Sequence, residues 1–87
     1  MSDREDLSPI DFTTFVISLG SSTVMQLAGD AGEPDLVLAR QNVDILKMLE
    51  VKTRGNLSPD EEQLLRGVLY QSRLAVVEGE KLAAAGE

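Results

Sequence analysis

The sequence has 87 residues, enough for one domain with a thin hydrophobic core. It contains no cysteine and no histidine, which excludes disulfides, the softer metal ligands and the commonest general base. A net charge of −7 disfavours binding to nucleic acid or to an anionic membrane, so we expect neither of these. Without cysteine or histidine, and with carboxylates whose spacing fits no Ca²⁺ loop, we also expect no metal or cofactor. Residues 1–7 resemble an acidic flexible tail without a basic or apolar signal region, which predicts a cytoplasmic protein.

The first helix is predicted to begin after this tail. Ser8 is the expected N-cap, and Pro9 occupies the first helical position. Leu7 and Phe12 have the spacing of a hydrophobic staple. The helix is therefore expected to run from about Pro9 to Ala28.

Residues 12–29 contain no charged side chain, where roughly four or five would be usual. Their serines and threonines are too polar for a membrane span. The segment is either covered by a second copy or another protein, or it is an ordinary amphipathic helix with a Ser/Thr-rich outer face. We favour the first interpretation, which makes Phe12, Phe15, Gly20 and Ser21 candidate partner-binding residues. Gly20 itself indicates either a close approach of another helix or a kink or break.

The second helix is predicted from about Asp35 to Thr53. Its core-facing positions follow helical spacing: Leu36, Ala39, Val43, Leu46 and Leu49. A second apolar line widens this face: Leu38, Ile45 and Met48. So broad an apolar face predicts that helix 2 is central and contacts both neighbours.

The third helix has the clearest start signal. Gly55 is predicted to adopt the left-handed conformation that ends helix 2. Ser58 and Glu61 then form a capping-box pair around Pro59. The short connection predicts an antiparallel hairpin of helices 2 and 3. We expect the domain to cover residues 8–78, and residues 79–87 to be frayed or helical.

One stripe of helix 3 carries Arg66, Tyr70 and Arg73 at i, i+4 and i+7. Arginine and tyrosine are enriched in binding hot spots, so these three are further candidate partner-binding residues. The alternative is a solvated edge, with an ion pair between Glu62 and Arg66 and a half-buried Tyr70. Spacing alone favours the alternative. No catalytic, cofactor-binding or metal-ligating residue is predicted.

Four segments together resemble a small bacterial family known as domain of unknown function eighteen-forty-four: "DFTTFVISLGSS", "LARQNVDILKML", "KTRGNLSPDEEQLL" and "LYQSRL". The resemblance covers residues 11–77. Its more specific parts are residues 52–57 and the LYxxR element at residues 69–73. The chain departs from the family pattern at Ser72, where an aliphatic residue is usual, and at Val76, where an aromatic is usual.

The resemblance implies a small helical protein and assigns no reaction. The chain is also similar in size to RomX-like polarity regulators, which implies a regulatory subunit. Such a subunit would act with a response-regulator partner on a Ras-like polarity GTPase, within a nucleotide-exchange complex. We therefore expect an all-α, three-helix domain that dimerises through helix 1 and serves as a non-catalytic protein–protein interaction module. The alternatives are a self-associating structural or accessory protein, a carboxylate-based enzyme and a nucleic-acid accessory factor.

Overall fold

The computed structural model describes residues 11–29 and 33–86, which form three α-helices. These are α1 (Phe12–Ala28), α2 (Leu36–Lys52) and α3 (Pro59–Ala85). Each helix packs against both others, so the predicted all-α, three-helix domain is confirmed. The predicted contact of helix 2 with both neighbours is confirmed, but α1 and α3 also pack directly on each other, so α2 is no more central than they are.

The start of α1 is set by Asp11. Its backbone is extended, and its carboxylate accepts a hydrogen bond from the Thr14 N–H at 2.8 Å. Asp11 is thus the N-cap, and α1 begins at Phe12. The predicted start at Pro9 is therefore wrong, and residues 7–9 themselves lie outside the described part of the chain.

The connection between α2 and α3 has most of the predicted features. Gly55 adopts the predicted left-handed backbone with φ of 87°, but it lies beyond the end of α2, whose C-cap is Thr53. The Ser58 hydroxyl accepts from the Glu61 N–H at 3.2 Å, and the Glu61 carboxylate accepts from the Ser58 N–H at 2.9 Å. Pro59 takes the first turn of α3. The capping box and the helix 2–helix 3 hairpin are thus confirmed.

The helix α3 has 27 residues and continues through Gly79 to Ala85. A Cβ at Gly79 would lie 3.0 Å from Leu27 Cδ2 and 3.3 Å from Leu36 Cδ2. Because Gly79 has no side chain, Leu27 of α1 and Leu36 of α2 can pack directly against α3 at this position. The C-terminal tail was predicted to be either frayed or helical. Among its described residues, 79–86, the chain is helical up to Ala85.

The direction of α1 relative to α3 follows from two glycine contacts. Gly20 in α1 lies beside Val68, and Leu27, further along α1, lies beside Gly79. The two helices therefore run parallel, both antiparallel to α2. A hydrogen bond of 3.3 Å from the Asn42 amide to the Ser22 hydroxyl joins α2 to α1.

The core is small and aliphatic. Its buried apolar residues are Val16, Ala39, Val43, Leu46, Leu65, Leu69 and Val76. The second apolar line predicted for helix 2 does not widen it, since Leu38 and Met48 are exposed. Ser72, which stands where the family usually has an aliphatic residue, is buried.

Candidate functional site: an apolar groove between α1 and α3

More large apolar side chains are exposed on the described surface than are buried in the core. Twelve are exposed, against seven apolar residues in the core. Scattered exposed apolar residues are normal in a folded protein, so only a contiguous arrangement of them indicates a binding surface. Three of them, Ile17, Val24 and Tyr70, line one continuous groove.

The groove lies between α1 and α3 and has a volume of about 860 Å³. Ile17 and Val24 line it from α1, and Leu64, Val68, Tyr70 and Ala75 line it from α3. The exposed fractions of Ile17, Val24 and Tyr70 are 48%, 60% and 63%. These side chains therefore remain available to another molecule after the domain has folded.

Small residues determine how deep the groove is. A Cβ at Gly20 would lie only 2.8 Å from Val68 Cγ1, so the glycine lets α3 approach α1 closely. The helix is continuous through Gly20, which rules out a break there, and the short distance to Val68 confirms the predicted close approach of another helix. Ser21 on α1 and Gly67 on α3 line the groove beside this contact.

The groove has little charge. No ionisable residue occurs in α1, Phe12–Ala28. On the α3 side, Asp60 is the one ionisable carboxylate among the lining residues, and it lies in the first turn of that helix. Most of the groove is therefore uncharged, although the whole chain carries −7.

The structure brings some of the predicted partner-binding residues together and separates others. Gly20, Ser21 and Tyr70 all line the groove. Phe12 is half-buried and packs against the core. Phe15 is 40% exposed but does not line the groove.

The stripe of Arg66, Tyr70 and Arg73 is divided between two surfaces. Arg66 lines a separate cleft at the α2–α3 connection, and its guanidinium donates to the Glu62 carboxylate at 3.2 Å. The predicted ion pair is thus confirmed. Tyr70 faces the groove and is exposed rather than half-buried, and Arg73 is exposed.

Ile17 and Val24 were not predicted as site residues. With Ser21 they form a line at i, i+4 and i+7, which the sequence does contain. A second apolar line of α1, through Phe12, Val16 and Leu19, packs into the core instead. Only the packing of α3 shows which line is left exposed.

Two further observations concern the described residues as a whole. No helix among them is long and apolar enough to cross a membrane. No three acidic side chains in residues 11–29 and 33–86 lie close enough together to hold a metal ion.

One known protein family matches most of this chain. The family described as "Domain of unknown function (DUF1844)" matches residues 9–78. This chain belongs to the DUF1844 family. The match includes α1, α2 and the part of α3 that lines the groove, so the groove is built from the DUF1844 domain itself. No curated protein and no solved structure matches the chain.

Proposed function

We propose that this DUF1844 protein is a non-catalytic interaction module, a cytoplasmic regulatory subunit that binds a protein through its α1–α3 groove. The observation that carries the proposal is the exposure of Ile17, Val24 and Tyr70 along a groove that has Asp60 as its one lining carboxylate. Fully burying an exposed Ile or Val side chain is favourable by about 1.5–3 kcal/mol, and roughly half of each surface at Ile17 and Val24 remains to be buried. A partner that covers all three would therefore gain substantial binding free energy.

The shape of the groove favours a protein over a small molecule. Small-molecule sites combine an apolar pocket with a few convergent polar groups that fix the orientation of the ligand. Such sites also enclose most of the ligand, whereas Ile17, Val24 and Tyr70 are 48–63% exposed, so this groove is open. A long apolar strip between two helices suits the apolar face of a third helix.

A narrower form of the proposal rests on resemblance alone. In it, the partner is a response regulator and the target is a Ras-like polarity GTPase, as in RomX-like regulators. The purified chain and the regulator of its own organism should then accelerate release of labelled GDP from that GTPase. No acceleration would overturn the narrower form and leave the interaction module as proposed.

Site-specific photo-crosslinking in the native host tests the general proposal. A photoreactive residue replaces Val24 in the groove or, as the control, Val37 on α2. The two valines are 60% and 61% exposed, so both probes start equally accessible. We expect a discrete crosslinked protein from position 24 and little or none from position 37. Equal or absent crosslinking at the two positions would contradict the proposal.

A further inference from the structure

We propose that the groove binds a second copy of this chain, with the two α1 helices antiparallel across a two-fold axis beside Gly20 and Ser21. This inference rests on the proposed function, because it names the partner at the same groove. It requires that the docking surface be complementary to itself, as every two-fold interface is. It also requires that the surface tolerate a partner of the same charge.

The groove side of α1 is self-complementary by spacing. Ile17 lies three residues before Gly20, and Val24 lies three residues after Ser21. An antiparallel pair centred between Gly20 and Ser21 therefore places Ile17 of each copy opposite Val24 of the other. Two matched apolar contacts form in this way, one on each side of the axis.

The small residues lie where the two helices must come closest. Helix axes pack at about 8–10 Å, and the distance depends on the side chains at the crossing point. Ser21 is exposed and small, whereas the Cβ direction of Gly20 is occupied by Val68 of the same chain, so Ser21 is the residue that allows the close approach. Tyr70, on the α3 side of the groove, is then placed to cover the second copy from the side.

The absence of charge on α1 permits a second copy at the groove and gives a basic partner little to bind there. Two chains of −7 repel each other over most of their surfaces, but α1 contains no ionisable residue. The groove also offers a basic helix very few acidic contacts, since Asp60 lies at one end. Because α1 and α3 run parallel, an antiparallel pair keeps the two Asp60 carboxylates at opposite ends of the interface.

Sedimentation equilibrium with paired charge variants tests the arrangement. We expect the wild-type chain to dimerise, and Ile17→Lys and Val24→Glu each to raise the dimer dissociation constant at least tenfold. An equimolar mixture of the two variants should regain most of the affinity, because the introduced ammonium faces the introduced carboxylate. The control, Val37→Glu, should dimerise like the wild type.

A second measurement keeps the test decisive if a charge variant fails to fold. The sequence has no cysteine, so Ser21→Cys introduces a single thiol beside the proposed axis. With oxidised glutathione as the oxidant, this variant should form a disulfide-linked dimer much faster than Val37→Cys.

Three outcomes would overturn the inference: a monomer at roughly 1 mM, a dimer unaffected by the groove variants, or equal disulfide rates for the two cysteine variants. If the chain is monomeric but position 24 still crosslinks to a different protein in cells, the second copy is wrong and the proposed function stands. If position 24 crosslinks to nothing, the proposed function fails as well.

Discussion

Gly20 of α1 lies directly against Val68 of α3. A Cβ at position 20 would come within 2.8 Å of Val68 Cγ1, closer than unstrained carbon atoms approach. This contact brings the two helices together along the floor of the groove. The absence of a side chain at position 20 therefore shapes both the packing of the domain and the surface that we assign to binding.

The Gly20–Val68 contact predicts that Gly20→Ala destabilises the domain. Alanine gains about 1 kcal/mol of helix propensity over glycine, but overpacking a core contact costs about 1–3 kcal/mol. Valine is stiff at χ1 in a helix, so Val68 has little freedom to move aside. We expect the free energy of unfolding in urea to fall by about 1 kcal/mol.

Gly67→Ala is the matched control, because nothing lies within 4 Å of a Cβ built at Gly67. This change in an open helical position should raise the free energy of unfolding by about 0.5–1 kcal/mol. Adding Val68→Ala to Gly20→Ala should recover part of the loss through the coupled pair. A Gly20→Ala variant as stable as the Gly67→Ala variant would show that the contact is not tight.

The capping box gives a second prediction about stability. Ser58→Ala removes the hydroxyl that accepts from the Glu61 N–H, and it should lower the free energy of unfolding by about 0.5–2 kcal/mol. Ser18→Ala is the control, because the exposed Ser18 hydroxyl donates within α1 to the Thr14 carbonyl and caps no helix. It should change stability by less than about 0.5 kcal/mol. Equal urea midpoints for the two variants would contradict the described start of α3.

Asp11 predicts a specific dependence of stability on pH. The backbone N–H of Thr14 donates to its carboxylate and lowers the pKa of Asp11 below the usual 3.8. The folded pKa therefore lies below the unfolded one. The stability that the ionised Asp11 cap contributes is complete above the unfolded pKa and is lost as the pH falls through the folded pKa. Asparagine also caps helices but does not titrate. The difference in unfolding free energy between wild type and Asp11→Asn should therefore change between about pH 5 and pH 2. A constant difference over that range would contradict the assignment of the Asp11 carboxylate as the N-cap of α1.

The divided stripe on α3 predicts that its residues behave differently in binding. Tyr70 lines the groove, whereas Arg66 is paired with Glu62 in the other cleft. Tyr70→Ala should weaken groove-mediated association by about 2 kcal/mol or more, the size typical of a hot spot. Arg73→Ala should leave the association unchanged, and both variants should keep the thermal stability of the wild type. A loss of association on Arg73→Ala alone would place the binding surface on the other side of α3.

Local signals predicted the second half of the fold well. The bounds of α2, the left-handed Gly55 and the Ser58–Glu61 capping box all depend on residues within a few positions of one another. The start of α1 was mistaken because two capping residues, Ser8 and Asp11, lie three positions apart. Either can accept a backbone N–H, and the sequence does not show which one does so.

The features that were missed depend on contacts between helices. Gly79 does not end α3, because leucines from α1 and α2 pack against it. The groove could be predicted only in part, because α1 has two apolar lines and the packing of α3 decides which of them stays open. Arg66 and Tyr70 share a stripe on α3, yet Tyr70 lies in the groove beside α1 and Arg66 lies beside the α2–α3 connection. The sequence of α3 alone does not show which neighbour each residue faces.

The central claim is that another protein molecule, either a second copy of this chain or a different protein, covers the α1–α3 groove in the cell. Since the chain has no cysteine, Val24→Cys and Val37→Cys each give one alkylation site of nearly equal exposure. The measurement is the ratio of the alkylation rate in intact cells to the rate in dilute purified chain, which cancels the intrinsic reactivity of each thiol. We predict a ratio well below one for position 24 and close to one for position 37. Equal ratios at the two positions would contradict the account.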